Sequence, residues 1–317
     1  MNFQPVDRLP RWEWAMWWDK TIARWRAEGL PAKLEGVFEI TQYFGLDPYQ
    51  QFWLSTTDDT IEAIQHHVEG SVGGMDDYMR IRPRLFPAHE KSIEEMRPWA
   101  AKQAKGDAVV WITLGGFFWF PRTLLGFEHL MYGFYDMPEL IHRINQDLLS
   151  FNIGLLEKMA GVCRPVFMTL AEDMSYNHGS MISQAVFREF LAPYYRKLLN
   201  QAKDMGIFVI ADTDGDVTGM VPWLLDVGVD GILPLERQAG VDGNRLGETF
   251  PTLRMVGHFD KMVMDKDEGT IRAEFERLLP LMRRGGFIPQ RGPSDPSRRI
   301  HGPVPAVPAA VRRIYFI

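Results

Sequence analysis

The sequence predicts an α/β fold of the (β/α)8 TIM-barrel type, laid out as a single domain over residues 1–317. Three observations carry that expectation. From Asp107 onward, short apolar segments alternate with helical ones, the pattern of a parallel sheet with helical crossovers. The number of such units favours a closed barrel over an open doubly wound sheet. No Gly-x-Gly-x-x-Gly or Walker-type loop follows any of the strands, which weakens a dinucleotide-binding alternative.

The leading region, residues 1–106, reads as an extension with the first barrel elements. Glu13 to Glu28 has helical spacing and ends at Gly29, with Pro31 just beyond. Trp14, Trp17, Trp18 and Trp25 form an aromatic stripe suited to packing this helix on the main body. Tyr43 to Pro87 reads as irregular, with a flexible turn at Ser71 to Gly74. The barrel body, 107–289, begins with a strand at Val109–Leu114 and a long helix within Pro138–Met159. Strands follow at Val166–Leu170, Ile207–Ile210, Gly231–Pro234, Arg254–Val256 and Gly286–Ile288. Helices fall at Gln184–Lys203, Val217–Asp226 and Thr270–Arg284.

Composition narrows the function. Hydrophobic residues make up 46% and charged residues 24%, the balance of a chain with a sizeable core. The formal net charge of −6 argues against sequence-independent nucleic-acid binding, which needs a basic excess. Cys163 is the single cysteine, so neither a disulfide framework nor a thiolate-rich zinc site can be built. Met1 to Pro10 lacks the character of a secretory leader, and no apolar run reaches bilayer length. A cytoplasmic protein without a membrane partner is the resulting expectation.

In a barrel of this type the reacting groups sit just past the carboxyl ends of the strands. Acids recur there. Glu172 and Asp173 follow one strand, and Asp212, Asp214 and Asp216 the next. Glu236 follows Gly231–Pro234, and Asp260 with Lys261 follows Arg254–Val256. Asp216, just before Val217, reads as a helix cap. Carboxylates converging on one mouth repel each other and raise one another's pKa unless a cation or proton donor relieves them. Asp173, Asp212, Asp214, Asp260, Lys261 and His258 are therefore the expected catalytic groups, with His258 as a general acid/base. Tyr176, Gly116, Phe117 and Ser180 are the expected substrate contacts. His178 lies near the mouth as a second acid/base candidate, and His66 and His67 read as surface residues.

At these residues a family is recognisable. The runs Asp212-Thr-Asp-Gly-Asp216 and Pro234-Leu-Glu-Arg-Gln-Ala-Gly240 resemble a branch of the uroporphyrinogen decarboxylase superfamily. So do Gly257-His-Phe-Asp-Lys261, Gly285-Gly-Phe-Ile-Pro289, Asp173-Met-Ser175, Gly179-Ser-Met-Ile-Ser183 and Pro193-Tyr-Tyr195. The resemblance covers Asp107 to Pro289, with Asp7 to Leu46 as a leader peculiar to the branch. It implies an enzyme of small-molecule or corrinoid-protein substrates, with a homodimer as a common assembly. Two reactions are implied: decarboxylation of a tetrapyrrole in porphyrin biosynthesis, or methyl transfer with a corrinoid partner. The decarboxylase's amino-terminal arginine motif is absent, since the equivalent stretch reads Arg8-Leu-Pro-Arg-Trp-Glu13. An acidic mouth without that clamp repels a polyanion. In the methyltransferases a His-x-Cys pair and a later Cys hold zinc. Asp212-x-Asp214 stands at the pair's place and Glu236 follows, which implies Asp212, Asp214 and Glu236 as ligands of a divalent metal, zinc or a harder ion. The leading expectation is metal-assisted methyl transfer with a corrinoid partner. Decarboxylation is second, and a non-catalytic corrinoid or tetrapyrrole binder third.

Residues 290–317 depart from the family pattern. After Pro289 the family continues with an Asp-His pair and a Tyr-bearing helix. Here Gln290 to Arg299 and a Pro/Ala/Val/Arg run follow, with Pro303, Pro305 and Pro308 where the last helix belongs. Either a reading frame shifted near Gln290, the leading expectation, or a divergent tail accounts for this, and a disrupted last strand–helix unit is expected.

Overall fold

The computed structural model describes residues 2–4, 6, 8–13, 19–57, 70–264 and 266–290. In chain order the strands are β1 (Tyr49–Leu54), β2 (Val109–Gly115), β3 (Phe167–Ala171), the short β4 (Ser175–Tyr176) and β5 (Gly179–Ser180), β6 (Phe208–Asp212), β7 (Gly231–Leu235), β8 (Arg254–His258) and β9 (Phe287–Gln290). The chain packs as two compact units, Gln50–Ile232 and Met1–Tyr49 with Leu233–Ile317.

In the unit Gln50–Ile232 the neighbouring strands run β1-β2-β3-β6. β2 pairs parallel with β3, and β3 with β6, in a register that sets Gly115 opposite Ala171 and Ala171 opposite Asp212. The carboxyl ends of three strands therefore finish level, and whatever follows each of them emerges at one edge. β2 reads as a nearly continuous apolar run because it is covered on both faces, Val110 through Leu114 all being buried. Thr113 is the polar exception. Its hydroxyl hydrogen-bonds Thr169 on β3 at 2.8 Å and accepts from Gln51 Nε2 on β1 at 2.8 Å, so the buried polar groups are satisfied. The helix Pro138–Ala160 packs a stripe of Leu140, Ile144, Leu148 and Leu155 inward at helical spacing, and it contacts the helix Ala192–Asp204. Each such fully buried side chain contributes about 1.5–3 kcal/mol. β4 and β5 form a tight antiparallel hairpin just past β3.

In the other unit β7, β8 and β9 are neighbours, and β8 pairs parallel with β9, His258 opposite Gln290. The helix Glu268–Arg284 crosses between those two strands, with Phe275, Leu278 and Leu281 buried and Asp267 capping Thr270 N–H. Trp25, on the helix Asp19–Ala27, meets Phe44 edge-on at 4.8 Å.

Strand–helix alternation is thus as expected, with three differences. Tyr43 to Pro87 holds β1 and the helix Met75–Ile81, where only irregular chain was expected; β1 lacks alternation because its exposure pattern is uneven. The expected helix Gln184–Lys203 has a π-turn at Phe187–Leu191, just before Pro193, whose missing N–H and ring disrupt regular α-helix. The helix after Asp216 starts only at Val221. Trp14, Trp17, Trp18, His66, His67 and the atypical stretch 291–317 lie outside the described residues. No helix among the described residues is long and apolar enough to cross a membrane.

A buried ion-pair knot ties the outer helices of the larger unit. Asp147 accepts from Arg82 Nε (2.6 Å), Arg143 Nε (2.9 Å) and the Tyr78 hydroxyl (2.9 Å). Burial pushes its carboxyl up, but these donors outweigh that and hold it at about 2. Because the folded value is depressed, the stabilisation is full above the unfolded value of about 4 and is lost as pH falls towards 2. Asp147→Asn is expected to lower unfolding free energy by about 1–2 kcal/mol at pH 7, allowing for screening at the part-exposed guanidinium partners. The gap should shrink as denaturant unfolding is repeated towards pH 2.

Candidate active site

The level strand ends of β2, β3 and β6 gather the acids. Glu172, first after β3, is fully buried and has no cation partner among the described residues. Its carboxylate accepts the backbone N–H of Phe117 (2.8 Å), Phe118 (2.7 Å) and Trp119 (3.3 Å), and the Tyr195 hydroxyl donates to it. Burial raises the Glu172 carboxyl above its ordinary value, with the donors opposing. Burial and the adjacent carboxylate raise the Tyr195 phenol well above 10. The approach needs glycine at 116, where a Cβ would stand 2.2 Å from the Glu172 carboxyl carbon.

Asp173 follows in the left-handed backbone region, φ 42°, unusual for a residue other than glycine. Its carboxylate meets the Arg122 guanidinium at 2.8 Å, and the same guanidinium donates to the Asp173 carbonyl at 2.9 Å. Arg122 is only 5% exposed and lies 4.4 Å over the Trp119 ring. From β6, the Asp212 carbonyl accepts both Glu172 N–H (2.9 Å) and Asp173 N–H (3.0 Å). The Asp212 carboxyl is raised well above the carboxylate range by burial first, then by the charges of Asp214 and Asp173. Thr213 is buried and accepts Met174 N–H, while Ser175 donates to the Asp214 carbonyl at 2.6 Å. Gly215 lies against the backbone of Tyr176, whose carbonyl accepts Asp216 N–H. The β4–β5 hairpin is thereby stitched to the loop after β6. This is a mouth of neighbouring carboxyls, in which Asp173 is ion-paired with Arg122 and the Asp212 carboxyl is raised above its ordinary value.

The remaining expected residues fall out as follows. Tyr176 is 48% exposed on the hairpin, its ring edge-on to His178 at 5.6 Å. Ser180 closes a local turn with Ile182. The Phe117 ring is fully buried against Tyr194 and Tyr195, and its N–H donates to Glu172. Asp216 accepts Thr218 N–H at a turn and does not cap a helix as expected, since the helix starts only at Val221. In the other unit, Glu236 stands 4.0 Å from Lys261, and Asp260 accepts Gln238 Nε2 and Met262 N–H. His258 is 2% exposed, and Nε2 receives Arg277 (3.1 Å) and Gly243 N–H (3.3 Å). Burial, then Arg277 and Arg237, press it down to about 4, so it is a neutral acceptor at physiological pH.

Among the described residues no three His, Cys, Asp or Glu side chains are grouped to hold a metal ion. Cys163, the lone thiol, is buried ahead of β3, and burial raises it. Carboxylates without thiolates are a poor donor set for a thiol-activating zinc. The residues present do not fit that metal, and burial with the charges of Asp214 and Asp173 favours the protonated form of Asp212.

Residues not singled out in the sequence complete the site: Arg122, Tyr195 and Thr213. Glu172→Gln sets an amide N–H2 against backbone donors and is expected to cost about 2–4 kcal/mol in denaturant unfolding, as a buried network loses its acceptor. Gly116→Ala should be similarly disruptive, since its new methyl has no room beside that carboxyl.

No curated protein matches the sequence. Among solved structures, a methyltransferase from Methanosarcina mazei is similar, with TM-score 0.67 and 14% identity, covering 98% of this chain and 96% of that one. A putative vitamin-B12 independent methionine synthase from Listeria monocytogenes is also similar, with TM-score 0.50 and 14% identity, covering 99% and 96%. At that identity the likeness establishes the barrel fold and no more. The family model "Uroporphyrinogen decarboxylase (URO-D)" matches residues 88–292, well over half the chain. The chain belongs to the uroporphyrinogen decarboxylase family.

Proposed function

We propose that this protein is a methyltransferase that passes a methyl group from an oxygen-bearing donor to a reduced corrinoid carried by a partner protein. Asp212 supplies the proton that the departing oxygen takes up. The observation that carries this is the convergence of Asp173, Asp212 and Asp214 at the β3 and β6 strand ends, with one buried guanidinium to balance them. An oxygen losing its methyl group gains negative charge, and a neutral carboxylic acid at that point both donates and avoids repulsion. The O–CH3 bond breaks, the methyl carbon bonds to the corrinoid cobalt, and the electron pair left on oxygen accepts the Asp212 proton. Methyl transfer is preferred to decarboxylation of an octacarboxylate because this mouth is acidic and the sequence lacks the amino-terminal arginine clamp.

The test is anaerobic incubation with cob(I)alamin and a methoxylated aromatic compound, following methylcobalamin by absorbance. Asp212→Asn is expected to slow formation by about 100- to 10,000-fold. Since Asp212 acts in its protonated form and its folded pKa is raised, activity is full below that value and falls as pH rises through it. The alkaline limb therefore lies well above the ordinary carboxylate range. Asp214→Asn removes one repelling charge and should move that limb to lower pH. Release of CO2 from uroporphyrinogen, with no methyl transfer, would overturn the assignment in favour of decarboxylation.

A further inference from the structure

Glu172 and Asp173 are successive residues gripped by a single short stretch of chain. Phe117, Phe118 and Trp119 give their N–H groups to the Glu172 carboxylate. Three residues after Trp119, Arg122 reaches back to Asp173 with two bonds, one to its carbonyl and one to its carboxylate. Between the two grips Asp173 holds φ 42°. That backbone region is disfavoured for a residue with a side chain, and it persists only where contacts over-determine it. The third constraint is the Asp212 carbonyl, which takes the N–H of both residues.

Arg122 is otherwise hard to account for. It is 5% exposed, its Nε has no hydrogen-bond partner, and its one carboxylate partner is 35% exposed. Burying a guanidinium this way is expensive for stability alone, and an apolar residue would pack there more cheaply. What a guanidinium does that an apolar residue or a lysine cannot is hold two oxygens of one residue in a fixed plane.

We infer that Arg122 is a positioning residue: together with Glu172 it clamps Asp173 in its left-handed kink and fixes where the Asp173 carboxylate stands against Asp212. The inference rests on the reading of these two acids as part of the reacting site. Arg122 touches no reacting atom in this account and acts through Asp173.

Two measurements on the full chain test it. In Arg122→Lys, which keeps the charge and most of the packing but loses the fork, backbone amide exchange at Asp173 and Met174 is expected to quicken about tenfold, while Ile112 and Leu114 on β2 are unchanged. Exchange that stays the same at Asp173, or quickens equally on β2, overturns the clamp. The second is a double-mutant cycle on kcat for methyl transfer with Asp173→Asn. If Arg122 works only through Asp173, each single variant slows turnover by about 100-fold and the double variant is no slower than Asp173→Asn. Losses that multiply overturn the positioning role. Should the wild-type protein transfer no methyl group, the proposed function fails, yet amide exchange still decides the clamp.

Discussion

A carboxylate buried to zero exposure without a cation is tolerable only if every lone pair finds a donor, and Glu172 meets that demand with three backbone N–H groups and one phenol. The demand propagates. The donors must come from a loop that turns tightly enough to aim successive N–H groups at one point, which fixes Gly115 to Trp119. The loop must pass within contact distance of the carboxyl, which excludes any side chain at 116. Tyr195 must keep its proton, and the negative charge beside it ensures that. One buried acid thus sets the course of the chain after β2, the helix that begins at Trp119, and the position of Arg122 on that helix.

The electrostatics of the mouth follow from strand register more than from composition. Parallel pairing with Ala171 opposite Asp212 puts the residues after β3 and the last residue of β6 side by side. Ionised carboxylates held side by side in a low-permittivity site repel each other, and that repulsion favours the protonated form of one of them. Burial acts in the same direction on Asp212, whereas Arg122 spends its charge on Asp173. The three acids are therefore unequal although their sequence neighbourhoods look alike. Asp173 is ion-paired, Asp212 is driven towards its neutral form, and Asp214 is one of the charges that drives it. Acid–base chemistry needs that inequality, because a donor and an anion must coexist at one pH.

Much of this was legible in the sequence. Strand–helix alternation identified the barrel class, and acids after successive apolar segments identified which end of the strands mattered. Asp173, Asp212 and Asp214 were singled out that way because their signal is positional. Arg122 gave none: it sits in Trp119-Phe-Pro-Arg-Thr-Leu-Leu125 as one basic residue in an apolar helix, and its partner is 51 residues away. Tyr195 was visible only as part of a Pro-Tyr-Tyr motif, since a buried phenol and a surface one have the same local pattern. The ring of Phe117 could not be placed from the sequence, because a residue beside a glycine pair can turn its ring either way. Only the buried Tyr194 and Tyr195 rings, remote in sequence, decide that.

His258 and its surroundings show why an acid or imidazole at a strand end is insufficient evidence of chemistry. Asp260 looks like Asp212 in the sequence, each closing or following an apolar strand before a turn. Yet Asp260 spends an oxygen on Gln238 and on the Met262 N–H, and its own N–H goes to Glu274. His258 spends its accepting nitrogen on Arg277 and Gly243. These groups knit a loop to a helix, and His258, pressed down to about 4 by burial and the neighbouring guanidinium groups, is a neutral acceptor at physiological pH. The Asp212 carboxyl differs in one respect: no hydrogen bond ties it among the described residues, while its main-chain carbonyl carries the structural load by accepting Glu172 and Asp173. A backbone that does the holding relieves the side chain of that task, and this division of labour sets Asp212 apart from a capping acid such as Asp260.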